Sequence, residues 1–154
     1  MASAAQTQRG NRPLLATTEI CSGGAYIVTG ANTGLGFEAA KHLVGLEAAK
    51  VIVAKATTEL DRIDAVIENA AVAVSERVFA EGHSMSVTVN VLSTFLLAVL
   101  ILPKMRETAE RYGIVPHLTL VTSLVGFDAK DLWDKIKDDP VNKVDGDDIP
   151  PMRT

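Results

Sequence analysis

An apolar run, Ala25-Tyr26-Ile27-Val28, opens directly into Thr29-Gly30-Ala31-Asn32-Thr33-Gly34-Leu35-Gly36, and this stretch constrains the fold more than any other. β-Branched residues ahead of a glycine cluster read as a strand ending in a tight turn, and Phe37 to Val44 then carries helical periodicity. Glycines remove Cβ atoms where the backbone must approach another group closely. The first N–H groups of a helix have no intrahelical partner and the helix dipole stands behind them, so an anion is the expected guest. Gly34-x-Gly36-x-x-Ala39 matches the G-x-G-x-x-G/A spacing that receives the pyrophosphate of a dinucleotide. Tight turns and helix caps select glycine too, so the spacing by itself leaves both readings open.

Composition narrows the setting. The 154 residues are 47% apolar and 22% charged, which is sized for one soluble domain with a core of its own. The net charge of −4 is concentrated between residues 128 and 148, where eight Asp face four Lys. No basic face and no aromatic-interleaved Lys/Arg run is present, which argues against nucleic-acid binding. Cys21, the single cysteine, has no partner for a disulfide and no Cys or His at metal-ligand spacing, so a reducing compartment is expected and no metal site. Residues 1–13 lack an apolar signal core, and a cytoplasmic location is expected.

The chain divides into a flexible lead-in (1–22), a Rossmann-like domain (23–127) and an acidic, partly disordered tail (128–154). Lys50 to Ala54 reads as a second strand. About 20 residues past the glycines, where an acidic residue would bind a ribose 2′-OH, the chain has Lys55. A cation there suits a 2′-phosphate and favours NADP(H); a solvated lysine closing a strand is the alternative. Ile63 to Ala71 gives a further strand, Ser75 to Gly82 reads as turn, and Ser84 to Arg111 is the longest helical pattern. Its apolar middle, Phe95 to Leu102, is too short to cross a bilayer, and a buried helix with a face left for a partner subunit explains it better. Pro103 is expected to kink that helix or end its regular hydrogen bonding. Pro116 to Thr122 forms another strand, and Asp131 to Ile136 a short amphipathic helix.

The order T-G-x-x-x-G-x-G at Thr29 to Gly36 resembles the cofactor loop of the short-chain dehydrogenase/reductase family, fungal reductases in particular, and further matches cover most of residues 24–127. The resemblance implies a Rossmann-like α/β doubly wound parallel sheet, truncated to about four strands in the order 2-1-4-5, and an NADP(H)-dependent oxidoreductase. Its substrate would be a small-molecule carbonyl or alcohol, in the setting of a secondary-metabolite pathway. Gly30, Asn32, Thr33, Gly34, Leu35 and Gly36 would cradle the cofactor together with Lys55. Asp64 to Ala71 resembles the family's D-x-L-x-N-N-A-G strand, with Glu68 in place of the first Asn and Ala71 in place of the Gly. Asn69 would then hold the strand ends around the cofactor, Asn90 would support a proton-relay water, and Ser123 would hydrogen-bond the substrate carbonyl.

Two departures qualify the resemblance. Between Lys55 and Ile63 there is no room for the family's third strand and its helices, and no Tyr-x-x-x-Lys follows Ser123. The only tyrosines are Tyr26 and Tyr112, both upstream. The chain alone is therefore expected to be inactive, and a nucleotide-binding or partner subunit without catalysis, or an inactive truncated product, is the competing reading. Open sheet edges and the apolar helix point to a homo-oligomer or a partner subunit, with no membrane contact.

Overall fold

In the computed structural model, residues 16–48, 50–52, 60–74, 76, 78–144 and 146 are described. Four strands, β1 (Ala25–Val28), β2 (Lys50–Ile52), β3 (Ala65–Glu68) and β6 (His117–Leu120), form one sheet in the order β2-β1-β3-β6. Every pairing is parallel, with Ile27 opposite Ile52 on one side and Val66 on the other, and Val66 opposite Leu118. This is the expected 2-1-4-5 order once the family's third strand is skipped in the count.

Period-two alternation sends the residues of β1 to opposite faces, and all four are buried, as a central parallel strand requires. Ala25 and Ile27 join Leu60, Ile63, Val66, Ile101 and Met105 in one core. Tyr26 and Val28 join Cys21, Ala31, Ala40 and Leu43 in the other. The second core is covered by α2 (Gly34–Gly45) and the first by α3, the long helix Met85–Tyr112. Cys21 is buried at the end of a single helical turn, α1 (Thr18–Cys21), inside the stretch expected to be a lead-in.

α3 begins with Met85–Val87 under a cap from the Ser84 hydroxyl, which accepts from Val87 N at 3.5 Å. It widens into a π-helical segment at Thr88–Ser93 and resumes as an α-helix over Thr94–Tyr112. Pro103 does not end it; the helix runs on to Gly113, which closes it at φ 64°. The break in regular bonding falls earlier, where hydroxyls take over carbonyls five residues back: Ser93 Oγ donates to Thr88 O (2.8 Å) and Thr94 Oγ1 to Val89 O (3.3 Å).

The whole of α3, unlike its Phe95 to Leu102 middle, is long and apolar enough to cross a membrane, with a window of mean hydropathy 2.2. Its stripe of Ala98, Ile101, Met105 and Thr108 is buried, so the helix serves as one wall of the core. Thr108 Oγ1 accepts from Ile63 N at 3.2 Å, which ties α3 to the approach to β3. On the opposite side Phe95, Leu96, Val99 and Leu100 are exposed.

The turn-like stretch ahead of α3 holds a small antiparallel ribbon, β4 (Phe79–Ala80) with β5 (His83–Ser84). Its turn residues Glu81 and Gly82 both have positive φ, as a two-residue I′ hairpin requires. After β6 come three short helices: α4 (Val125–Asp128), α5 (Lys130–Ile136) and α6 (Pro140–Lys143). The second of these is the expected amphipathic helix, with Ile136 buried. The last, α6, falls within the stretch read as an acidic, partly disordered tail.

Candidate active site

The three glycines of the first turn do two different jobs. Gly30 has φ 64°, and a Cβ there would lie 2.8 Å from the Cα of Ala70. At Gly36 a Cβ would lie 2.5 Å from Asn69 Nδ2 and 2.6 Å from Gly30 O. Both therefore serve close packing of the loop on the end of β3. Gly34 is different: its φ is 62° and nothing lies within 4 Å of where its Cβ would be. It opens α2, whose N-cap residue Thr33 supplies no side-chain cap and whose first turn has no acidic residue. The N–H groups of that turn thus keep their capacity for an external anion. Asn32, Thr33 and Leu35 line the exposed rim of the same turn. Lys55 lies outside the described residues.

Thr29 ties this loop to β3, a role its place in the sequence does not reveal. Its backbone N donates to Ile67 O (3.0 Å), and its hydroxyl accepts from both Asn69 N and Ala70 N at 3.0 Å. Asn69 Nδ2 returns a bond to Thr29 O at 3.3 Å. The strand ends are thereby locked together across some 40 residues of sequence. Thr29→Val would keep the shape and remove the acceptor for two backbone donors. A loss of about 1–3 kcal/mol in urea denaturation is expected, with weakened nucleotide binding.

Asn90 sits in the π-helical segment and uses both ends of its amide on one residue. Its Oδ1 accepts from Val72 N and its Nδ2 donates to Val72 O, each at 2.8 Å. The side chain thus fixes the loop leaving β3, with both ends of its half-buried amide bonded to backbone.

A cavity of about 350 Å³ lies where β3 and β6 end, bounded by Asn69, Asn90, Thr94, Phe95, Val121 and Ser123, with Glu68 in its wall. Asn69, Asn90 and Ser123 thus lie together at the carboxyl ends of parallel strands. Val121 N donates to Glu68 O at 2.9 Å and carries the β3–β6 pairing up to the cavity. Glu68 was noted only as a departure from the family strand. It is 4% exposed, neither carboxyl oxygen has a hydrogen-bond partner among the described residues, and burial raises its pKa above the ordinary carboxylate value.

The two tyrosines lie away from this cavity. Tyr26 is buried in the opposite core, where burial first, then a hydrogen bond with Cys21, pushes its phenol up to about 12. Tyr112 ends α3, with the guanidinium of Arg62 5.2 Å and that of Arg111 5.5 Å from its ring centroid. Arg62 is itself held by Asp64 (2.5 and 2.8 Å), whose carboxylate also accepts from Ala25 N at 2.7 Å. Asp64 of the D-x-L-x-N-N-A-G-like strand is thus an anchor for the start of β1.

No family model matches the chain. Individual relatives do. It is 34% identical over 145 residues to a short chain dehydrogenase/reductase of Cryptosporiopsis sp. and 33% identical over 141 residues to a short-chain dehydrogenase of Penicillium roqueforti. A short chain dehydrogenase of Gibberella zeae is 32% identical over 144 residues. The chain belongs to the short-chain dehydrogenase/reductase family. These matches cover 66% of this chain and 45%, 37% and 42% of the three relatives, so it spans less than half of each. The alignment with the Cryptosporiopsis dehydrogenase/reductase is 145 positions long yet takes up 66% of 154 residues. That relative therefore has residues with no counterpart here, in keeping with the short link from β2 to β3.

Family membership implies a nicotinamide nucleotide, and the first turn fits one. Gly34 leaves open space in front of an uncapped helix N-terminus, while Gly30 and Gly36 let the loop fold back against Asn69 and Ala70.

Proposed function

We propose that this chain forms the nucleotide-binding part of an NADP(H)-dependent oxidoreductase acting on a carbonyl or alcohol group of a small molecule, in a secondary-metabolite pathway of the cytoplasm. The observation that carries the reading is the cavity at the strand ends, where Asn69, Asn90 and Ser123 meet beside the glycine turn. When bound, the nicotinamide would supply or accept the hydride. The chain's own residues would do the positioning. Gly34 and the first N–H groups of α2 would hold the pyrophosphate, the charge of Lys55 would suit a 2′-phosphate, and Asn69 and Thr29 keep the turn in register. Ser123 donates a hydrogen bond to the substrate oxygen, and Asn90 fixes the loop that borders the cavity.

Neither tyrosine is placed to protonate that oxygen, and a positioned acid contributes typically 10²–10⁴-fold. The 154 residues by themselves are therefore expected to bind nucleotide without measurable turnover. Calorimetric titration should show NADP(H) bound in preference to NAD(H), with the preference lost in Lys55→Glu and all binding lost in Gly34→Val. Tighter NAD(H) binding, or a Lys55→Glu variant with unchanged affinity for NADP(H), would contradict the assignment.

A second reading, a non-catalytic subunit, rests on the exposed row of Phe95, Leu96, Val99 and Leu100. An apolar strip of this kind on a core helix suits another copy or another subunit. Sedimentation should then report a species larger than one chain.

A further inference from the structure

Glu68 stands at the junction of the two structures that shape the cavity, and its chemistry is at odds with its place. Its carbonyl accepts from Val121 N, while the next residue, Asn69, is tied to Thr29. Its carboxyl is closed to solvent and has no hydrogen-bond partner among the described residues. Among the described residues, no element packed around it offers a compensating charge. Residues 88–103 of the π-helical segment and α3 contain no ionisable side chain, and neither does the loop 69–74. From β1 the only titratable group is Tyr26, whose ring lies in the opposite core, and from β6 it is His117, paired with Ala65 at the far end of β3. Of the polar side chains in the cavity wall, Asn90 bonds to Val72, Thr94 to Val89 and Asn69 to Thr29.

A carboxylate cannot stay in such a setting without water or a donor. The nearest space that can hydrate it is the cavity whose wall it forms. We propose that Glu68 is a proton-controlled latch on this cavity: as the neutral acid it stays sealed in the wall, and on losing its proton it turns into the cavity and loosens the β3–β6 exit beside Ser123. The cavity is then in its closed form at low pH and its hydrated form at high pH, whatever nucleotide the first turn holds.

Amide hydrogen exchange, corrected for the intrinsic pH dependence of the chemical step, tests this on the intact chain. The amides of Val121 and Ala70 report the exit, and that of Ile27 reports the centre of the sheet. In the wild type, protection at Val121 and Ala70 should fall by up to tenfold per pH unit between the ordinary carboxylate value and the raised folded pKa of Glu68 and level off above it, while Ile27 is unchanged. Glu68→Gln, which cannot ionise, should remove the pH dependence, and Glu68→Leu serves the same purpose if the amide variant folds poorly. A flat wild-type profile, a pH dependence that survives in either variant, or an Ile27 amide that loses protection in parallel would each overturn the latch.

Discussion

Gly36→Ala is expected to destabilise the protein by about 1–3 kcal/mol or more and to abolish nucleotide binding, although alanine is the better helix former by roughly 1 kcal/mol. Gly36 lies in the first turn of α2, and the new methyl would fall 2.6 Å from Gly30 O, 3.0 Å from Gly30 C and 2.5 Å from Asn69 Nδ2. The amide could swing away, at the expense of its bond to Thr29 O, but the Gly30 backbone cannot retreat without moving the loop off Ala70. The repulsion therefore outweighs the gain in propensity. Gly45, at the other end of the same helix, has nothing within 4 Å of its Cβ position, so Gly45→Ala should stabilise by roughly 0.5–1 kcal/mol. Urea midpoints for the two variants should shift in opposite directions. Equal shifts would show that the close approach at Gly36 is not a constraint on the folded chain.

Glu68→Leu is expected to stabilise the protein at neutral pH by about 1–3 kcal/mol, the range measured for a buried polar group left without a partner. The sign with pH follows from burial, which raises the folded pKa above the ordinary value of 4.5. Below that value the carboxyl is neutral in both states and pH has no effect on this residue. Above it the unfolded chain releases a proton that the folded chain retains, so wild-type stability falls as pH rises, until the folded pKa is passed. The difference between variant and wild type should accordingly widen from acid to neutral pH. A constant difference, or a less stable Glu68→Leu at neutral pH, would mean that the carboxyl has a partner in solution.

What could be read from the sequence was whatever repeats at short range. The run Ala25 to Val28, the glycines and the helix after them are local patterns, and the order of the strands follows from the crossovers that patterns of this kind impose. Asn69, Asn90 and Ser123 were found through residue types at fixed places in a family-like segment, and they do meet at one cavity. What escaped depends on partners far away in the chain. Thr29 reads as an ordinary strand-end residue until Asn69 and Ala70 are seen to donate to it. The π-helical segment is set by where the hydroxyls of Ser93 and Thr94 turn, which periodicity does not register. Glu68 looks like a tolerated replacement at a polar position, and only burial on all sides turns it into an orphan.

The all-parallel sheet bears on how the chain reaches its folded state. None of its three strand pairings joins neighbours through a hairpin; the only such pair among the described residues, β4 with β5, stands outside it. β1 finds one partner beyond the whole of α2, and the other, β3, some 40 residues on; β6 can add only after the whole of α3 has been made. Loop closure therefore precedes every sheet contact, which places this topology among the slower ones for its length. During synthesis the apolar residues of β1 emerge first and wait longest, so the newly made chain is at its most vulnerable to association before Ala65 to Glu68 has left the ribosome.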